Sequence, residues 1–358
     1  MIKLLIVDDS ALMRRQLASV FEVEPGFVVR QARNGRDAVE QNREFQPDVI
    51  TLDINMPEMD GVTALSVIMS ERPTAVVMVS SLTERGALVT FEALNLGAID
   101  YITKPGGTIS LSLGDIKDEL IRKVRTAAKA RLRSTRATPA RFTTAAAGRA
   151  EARAAPVPRV SRRADAAREG VVLIGVSTGG PRTLEEILPL LPAEFPWPVL
   201  VAQHMPAAFT KTFAARLNNV CALTVVEVSQ PHPLERGTIY VGKGGADMVL
   251  GKRGNSLLVL ARPEQREHLW HPSVELMGRS ALEYFPAASI IGVMLTGMGY
   301  DGSDAFAEIK ARGGRTIAES EETAVVFGMP AELIERGGAT ITLPAHKVAG
   351  QLNVWAGR

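Results

Sequence analysis

A polar and basic segment divides this chain of 358 residues into two parts and limits how it can fold. Residues 126–169 are rich in Ala, Arg, Thr and Pro, and they contain eleven Lys or Arg residues against three acidic ones. Such a segment has few large apolar side chains, so it cannot bury enough surface to offset the entropy cost of ordering. We therefore predict a flexible basic linker at 126–169, between one domain at 1–125 and a second domain at 170–358.

The composition, with 46% hydrophobic and 22% charged residues, is typical of a globular protein. No apolar run approaches the ~20 residues that cross a bilayer, and the N-terminus lacks a secretion signal. We therefore expect a cytoplasmic protein without direct membrane insertion. The single Cys221 excludes an internal disulfide and a multi-cysteine zinc site. The basic charge is confined to the linker, so the net charge of +2 does not indicate a nucleic-acid partner.

Short apolar runs alternate with amphipathic stretches throughout residues 1–125. The apolar runs are KLLIVDD, VVRQA, DVITLDI, AVVMVS and DYIT. This alternation predicts an α/β domain of the doubly wound (βα)5 type, with functional groups at the carboxyl ends of parallel strands. Several Asp residues fall at those ends. Carboxylates that converge at one edge favour a hard divalent cation such as Mg²⁺, and a solvated acidic rim is the alternative.

The polar residues of this domain follow a specific order, which is Asp8-Asp9, Asp53 before MPEMDG (56–61), Ser80, Tyr101 and Lys104-Pro105. In this order the sequence resembles the receiver domain of bacterial response regulators. The resemblance implies that Asp53 accepts a phosphoryl group and that Lys104 contacts the phosphoryl oxygens. The residues that it assigns to Mg²⁺ are Asp8, Asp9 and Asp53. The residues that it assigns to the conformational switch are Ser80, Tyr101 and Lys104.

The second domain also alternates apolar runs with helical stretches, and predicts a mostly parallel sheet with some antiparallel hairpins. The runs are VVLIGVS, PVLVAQH, ALTVVEV, TIYVG, SLLVL, SIIGVMLT, RTIAE and ATITL. The first run leads into Gly175-Val176-Ser177-Thr178-Gly179, a small-residue turn that presents a hydroxyl between a strand and a helix. Taken alone, this turn is compatible with a nucleophile, a phosphate cradle or a simple tight bend.

Two further strand ends favour the nucleophile. His204 ends PVLVAQH, and Asp301 lies in TGMGYDG (296–302) after SIIGVML. Taken singly, a structural histidine and a turn aspartate are the commoner interpretations. In a parallel sheet, however, both strand ends share one edge with Ser177, so a Ser-His-Asp group can form. His204 would then act as general base and Asp301 would fix its tautomer, in a chain order that differs from the Ser, Asp, His of α/β-hydrolases.

Five further segments of this domain are distinctive: GVSTGG, QHMPAAFTKTFAARLN (203–218), HPSVELMGRS (271–280), LTGMGYDG (295–302) and VVFGMP (325–330). In these segments the sequence resembles the catalytic domain of the CheB family of chemotaxis protein-glutamate methylesterases. The resemblance implies that Ser177, His204 and Asp301 form a catalytic triad without a cofactor. It places the oxyanion hole at backbone N–H groups near Thr178 and Met298.

The resemblance also implies a substrate and a phosphoryl donor. The substrates would be glutamyl methyl esters, and specific glutamines, on methyl-accepting chemotaxis receptors. A chemotaxis histidine kinase would supply the phosphoryl group to Asp53. Four places depart from the family pattern and bear on substrate preference: Asp247 for histidine, His271 for arginine, Tyr300 for asparagine and Thr323-Ala324 for a Ser-Cys pair.

Two other functional classes remain open at this point. The first is a receiver-regulated binding or scaffolding protein with a catalytically silent C-terminal domain, which intact methanol release after Ser177→Ala would favour. The second is a regulator that binds nucleic acid through its linker, but the sequence contains no helix-turn-helix or winged pattern.

Overall fold

The computed structural model describes residues 1–80, 83–104, 109–130, 170–265 and 267–357. Most of the predicted linker, residues 131–169, lies outside the described residues, as does Pro105. The division of the chain at residues 125 and 170 therefore stays a prediction. Among the helices of the described part, none is long and apolar enough to span a membrane.

The first domain is a five-stranded parallel sheet between two layers of helices. Its strands are Ile2–Val7 (β1), Phe27–Ala32 (β2), Val49–Asp53 (β3), Ala75–Ser80 (β4) and Asp100–Thr103 (β5). Its helices are Ala11–Glu22 (α1), Gly35–Glu44 (α2), Gly61–Glu71 (α3), Glu84–Leu96 (α4) and Ile109–Ala127 (α5). The strand order β2-β1-β3-β4-β5 confirms the predicted doubly wound domain. Side chains of Ser10, Asn34 and Asp60 cap the first three helices, which fixes where each begins.

The second domain contains a seven-stranded parallel sheet and a small antiparallel sheet, as predicted. The strands are Val171–Val176 (β6), Val199–Gln203 (β7), Thr224–Val228 (β8), His232–Pro233 (β9), Thr238–Gly242 (β10), Ala246–Arg253 (β11), Ser256–Pro263 (β12), Ile290–Met294 (β13), Arg315–Glu319 (β14) and Ile341–Leu343 (β15). The helices are Gly180–Ile187 (α6), Ala207–Val220 (α7), Val274–Tyr284 (α8), Ser303–Ala311 (α9), Met329–Glu335 (α10) and Ala345–Ala356 (α11). The sequence did not predict β9 and β11, which form the small sheet with β12.

The strand order of the large sheet is β15-β14-β13-β6-β7-β10-β8. Strand β6 therefore lies between β13 and β7, and all three run parallel. Every residue of these three strands is buried, as expected where helices cover both faces of a sheet. The carboxyl ends of β13, β6 and β7 consequently meet at one edge, where the loops that follow them come together.

The two domains pack through aromatic side chains of α4, β5 and α7. The ring centroid of Phe91 lies 5.3 Å from that of Phe213 and 6.2 Å from that of Phe209. Tyr101 of β5 also contacts Phe209, at 4.6 Å between centroids. A polar contact from Asn95 Nδ2 to Glu185 Oε2 at 3.1 Å borders this apolar region. The first domain thus faces the second with the side formed by α4, β5 and α5.

Candidate active site

Ser177 and His204 follow the neighbouring strands β6 and β7. The backbone N–H of His204 donates to the carbonyl of Val176 at 3.0 Å, which fixes the two strand ends side by side. Gly179 adopts the left-handed conformation, with a φ of 79°, and lets the chain turn sharply from Ser177 into α6. Gly297 of the loop after β13 approaches so closely that an added Cβ would lie 2.7 Å from the Cβ of Ser177. The serine is therefore held between two tight backbone segments.

The imidazole of His204 is oriented by a contact with Asp301. Nε2 of His204 lies 2.9 Å from Oδ2 of Asp301, and the two side chains are only 8% and 4% exposed. The other nitrogen, Nδ1, is buried and has no hydrogen-bond partner within the described part of the chain. Because an ionised carboxylate only accepts, Nε2 carries the proton in the neutral ring and Nδ1 keeps a lone pair. His204 thus has the tautomer that a general base requires.

Asp301 is held as a carboxylate by the N-terminus of α8. Its oxygens accept hydrogen bonds from Ser273 Oγ at 3.0 Å, Val274 N at 2.7 Å and Glu275 N at 3.0 Å. Burial alone would raise the pKa of Asp301, but the hydrogen bonds and the attraction of His204 lower it below its ordinary value. Sequence reasoning missed this contribution of Ser273, although a serine directly before the apolar run of α8 is a recognisable N-cap signal.

An aromatic pair covers the outer side of His204, which sequence reasoning also missed. The ring of Trp270 stacks on His204 with centroids 5.6 Å apart and an interplanar angle of 4°. Tyr300 contacts Trp270 edge-on at 5.2 Å and is itself 51% exposed. The wall made by Trp270 limits rotation of the imidazole and shields its hydrogen bond to Asp301 from water.

The backbone N–H groups of Thr178 and Met298 border the same cavity. Neither donates a hydrogen bond to any described residue, as expected for donors that await a ligand oxygen. The carbonyl of Thr178 accepts from Thr296 Oγ1 at 2.9 Å, and Thr296 N donates to the buried Glu319 at 2.8 Å. These bonds tie the Ser177 turn to the loop after β13. Glu319 had no recognisable signal in the sequence.

Ser177 and His204 line a cavity with a volume of about 290 Å³. Residues of the first domain, among them Asp100 and Lys123, form another part of its wall. Thr178 Oγ1 donates to Asp100 Oδ2 at 2.7 Å, and both side chains are buried. Thr126 lies in α5 of the first domain, although the sequence predicts it in the linker, and places its Oγ1 2.8 Å from Met298 Sδ. The first domain therefore contacts the side chains of Thr178 and Met298, the two residues whose backbone N–H groups have no partner among the described residues.

The predicted phosphorylation site lies at the carboxyl edge of the first sheet. Each of Asp8, Asp9 and Asp53 offers a carboxylate oxygen within 4.8 Å of the other two. The ammonium of Lys104 lies 3.0 Å from Asp8 Oδ2 and 2.8 Å from Asp53 Oδ2. Burial raises the pKa of Asp53 to about 6, although Lys104 opposes this shift. An oxygen-only donor set of three carboxylates fits Mg²⁺.

Two of the three predicted switch residues, Ser80 and Tyr101, lie between this site and the second domain; the third is Lys104. Ser80 Oγ accepts a hydrogen bond from Thr90 Oγ1 at 2.8 Å. The ring of Tyr101 packs on Phe209, and its buried hydroxyl has no hydrogen-bond partner among the described residues. A buried hydroxyl without a partner is destabilising.

Cys221 and the four departures from the family pattern lie around rather than within the Ser177, His204 and Asp301 group. Burial raises the pKa of the Cys221 thiol to about 12, which leaves it unreactive at neutral pH. Asp247 and His271 contact each other, with Nδ1 of the histidine 2.9 Å from Oδ1 of the aspartate. Thr323 Oγ1 donates to Glu319 at 2.8 Å.

Known proteins resemble the chain over its whole length. The family model for CheB methylesterase matches residues 172–352, and that for the response regulator receiver domain matches residues 4–112. A protein-glutamate methylesterase/protein-glutamine glutaminase 3 of Rhodospirillum rubrum is 56% identical over 100% of this chain and 97% of its own. The crystal structure of the Thermotoga maritima CheB methylesterase catalytic domain is 39% identical, covers 51% of this chain and 97% of its own, and superposes with a TM-score of 0.50. The chain therefore belongs to the CheB methylesterase family.

Proposed function

We propose that this protein is a phosphorylation-activated hydrolase that demethylates glutamyl methyl esters on chemoreceptors and deamidates specific receptor glutamines. The observation that carries the proposal is the buried Nδ1 of His204, which has no partner among the described residues while Asp301 holds Nε2, in the cavity that Ser177 also lines. This arrangement supplies a base for a serine hydroxyl at the edge of a parallel sheet.

In the proposed reaction, Ser177 Oγ attacks the ester carbonyl while Nδ1 of His204 takes its proton. Asp301 stabilises the resulting imidazolium through Nε2. The tetrahedral oxyanion accepts hydrogen bonds from the backbone N–H groups of Thr178 and Met298, and a single donor of this kind contributes ~10²–10³ in rate. His204 then gives its proton to the departing methanol as the C–O bond breaks, which leaves an acyl-enzyme on Ser177.

Water completes the cycle. His204 removes a proton from a water molecule that attacks the acyl carbon, and Ser177 leaves with that proton to regenerate the hydroxyl. The product is the free glutamate side chain. With a glutamine substrate the same steps release ammonia in place of methanol.

The receiver domain controls access to Ser177 in this proposal. Asp100 contacts the side chain of Thr178, and Thr126 contacts that of Met298. Substrate therefore reaches Ser177 when the receiver domain moves away from these two residues. Phosphorylation of Asp53 adds charge and acceptor oxygens that Ser80 can bind, which biases Tyr101 away from Phe209. Loss of that aromatic contact weakens the packing between the domains.

Phosphorylation requires a nucleophilic carboxylate and neutralisation of the transferring phosphoryl group. We assign the first role to Asp53 and part of the second to Lys104, whose ammonium already bridges Asp8 and Asp53. Asp8, Asp9 and Asp53 would hold Mg²⁺, which screens the negative charge that builds up on the phosphoryl oxygens. A chemotaxis histidine kinase is the proposed phosphoryl donor.

The experiment that tests catalysis is methanol release from a methylated receptor. We expect Ser177→Ala to abolish release, and Ser229→Ala to release methanol at the wild-type rate, because Ser229 is exposed and outside the cavity. Methanol release by Ser177→Ala at the wild-type rate would contradict the proposal and favour a catalytically silent domain.

A further inference from the structure

The cavity contains a second histidine–carboxylate pair that the proposed reaction does not use. His271 Nδ1 lies 2.9 Å and 3.0 Å from the two carboxylate oxygens of Asp247. Asp247 is 1% exposed, and its Oδ1 also accepts from Ser273 N at 2.9 Å. Ser273 in turn donates through its hydroxyl to Asp301. The N-terminus of α8 therefore orients both histidine–carboxylate pairs.

The ring of His271 forms part of the wall of the cavity that holds Ser177 and His204. Its side chain is 14% exposed, whereas Asp247 behind it is almost completely enclosed. Since Nδ1 is bound by Asp247, Nε2 is the polar atom that this ring can offer to a substrate. Within the described residues, Nε2 of His271 has no hydrogen-bond partner.

Asp247 determines which nitrogen of His271 carries the proton. An ionised carboxylate can only accept, so in the neutral ring the proton is on Nδ1 and the lone pair is on Nε2. A methyl ester has no N–H or O–H group to donate to that lone pair. A primary carboxamide has two N–H donors. An acceptor in the cavity wall therefore distinguishes the two groups by their chemistry.

We propose that Asp247 and His271 determine the balance between ester and carboxamide substrates, with Nε2 of His271 accepting a hydrogen bond from the carboxamide nitrogen. His271 is then a specificity-determining residue and Asp247 is the positioning residue behind it. The inference rests on the proposed function, because it requires a protein that hydrolyses both kinds of side chain.

The variant Asp247→Asn removes the charge that fixes the tautomer of His271, with little change in shape. Its amide oxygen continues to accept from Ser273 N at the position of Oδ1, 2.9 Å from Nδ1 of His271, and its NH₂ group takes the position of Oδ2, 3.0 Å from the same nitrogen. The amide oxygen attracts a proton on Nδ1 and the NH₂ group repels it, so the proton is no longer held on Nδ1 and the acceptor at Nε2 is weakened. The variant His271→Phe removes that acceptor altogether.

The test uses the full-length protein with Mg²⁺ and a small phosphoryl donor. A receptor carrying a glutamyl methyl ester or a glutamine at the same position supplies the two substrates, and methanol and ammonia are measured. We expect the ratio of ammonia to methanol release to fall about tenfold in His271→Phe, which loses one hydrogen bond to the carboxamide, and to fall by a smaller factor in Asp247→Asn. Asp304→Asn, which removes the same charge from an exposed site, should leave the ratio unchanged.

The outcomes separate the inference from the function on which it rests. An unchanged ratio in His271→Phe, or an equal loss of both activities in that variant, overturns the inference and leaves the proposed function intact. An unchanged ratio in Asp247→Asn alone overturns the positioning role of Asp247. Wild-type protein that releases methanol but no ammonia also overturns it. Wild-type protein that releases neither refutes the proposed function itself. If Asp247→Asn does not fold, as judged by circular dichroism, the ratio for His271→Phe decides.

Discussion

The hydrogen bond between Asp100 and Thr178 joins the receiver domain to the proposed oxyanion hole, and Asp100→Ala removes it. Thr178 Oγ1 donates to Asp100 Oδ2 at 2.7 Å in a buried environment. Lys123, which also binds Asp100, keeps Glu119 and the carbonyl of Tyr101 as partners. We therefore expect the variant to fold and to release methanol faster than wild type without phosphorylation.

The size of the effect follows from the charge on Asp100. A hydrogen bond to a charged group contributes ~1.5–3 kcal/mol, and ~1.4 kcal/mol changes an equilibrium constant tenfold. Loss of this bond should raise the ratio of open to closed protein about 10- to 100-fold. The closed form of the variant also leaves the Thr178 hydroxyl buried without this acceptor, which favours opening further. Activity rises by the same factor until it reaches the level of the phosphorylated protein.

The assay is the initial rate of methanol release from methylated receptor in the absence of a phosphoryl donor. Asp48→Ala is the matched control, because Asp48 is an exposed receiver carboxylate that, among the described residues, accepts from the backbone of Lys3 alone. All three proteins should reach the same rate once phosphorylated. If Asp100→Ala had the basal rate of wild type and still responded to the phosphoryl donor, the reasoning about this contact would be refuted.

Three further predictions concern the two sites. Asp301→Asn should lower the rate of methanol release roughly 10³-fold or more, since an amide can hold His204 in the wrong tautomer. A rate near that of wild type would exclude the proposed role of Asp301 in orienting His204. In the absence of Mg²⁺, Asp53 should take up a proton as the pH falls through about 6, because burial raises the pKa of this carboxyl; NMR titration of the carboxyl carbon checks this, and a group that stays ionised well below that pH would contradict it. A chelator of Mg²⁺ should abolish activation by phosphorylation but leave basal methanol release unchanged. The reason is that the candidate cation site found among the described residues lies in the receiver domain. Loss of basal release on chelation would contradict this.

The positions of Ser177 and His204 could be predicted because a parallel sheet imposes them. Each residue directly follows a buried strand, and the carboxyl ends of neighbouring parallel strands meet at one edge. Asp301 was predictable for the same reason, although it lies in the loop beyond β13 rather than at the strand end. The carboxylates of the receiver domain likewise follow directly from their strands. In all of these cases a short local pattern determines where the side chain lies.

The residues that support this group could not be predicted, because tertiary packing brings them in from distant parts of the chain. Trp270 stacks on His204 from a segment without regular periodicity, and Glu319 reaches Thr296 across the sheet. The contact between Asp100 and Thr178 depends on how two domains dock. No pattern of apolar residues within either domain encodes that docking, so only the assembled structure reveals it.

The central claim is that phosphorylation of Asp53 controls hydrolysis at Ser177, and one measurement tests it directly. The initial rate of methanol release is measured with and without Mg²⁺ and a phosphoryl donor, for wild type, Asp53→Ala and Ser177→Ala. We expect the donor to accelerate wild type, to leave Asp53→Ala at its basal rate and to elicit no release from Ser177→Ala. Acceleration of Asp53→Ala, or a wild-type rate that does not respond to the donor, would contradict it.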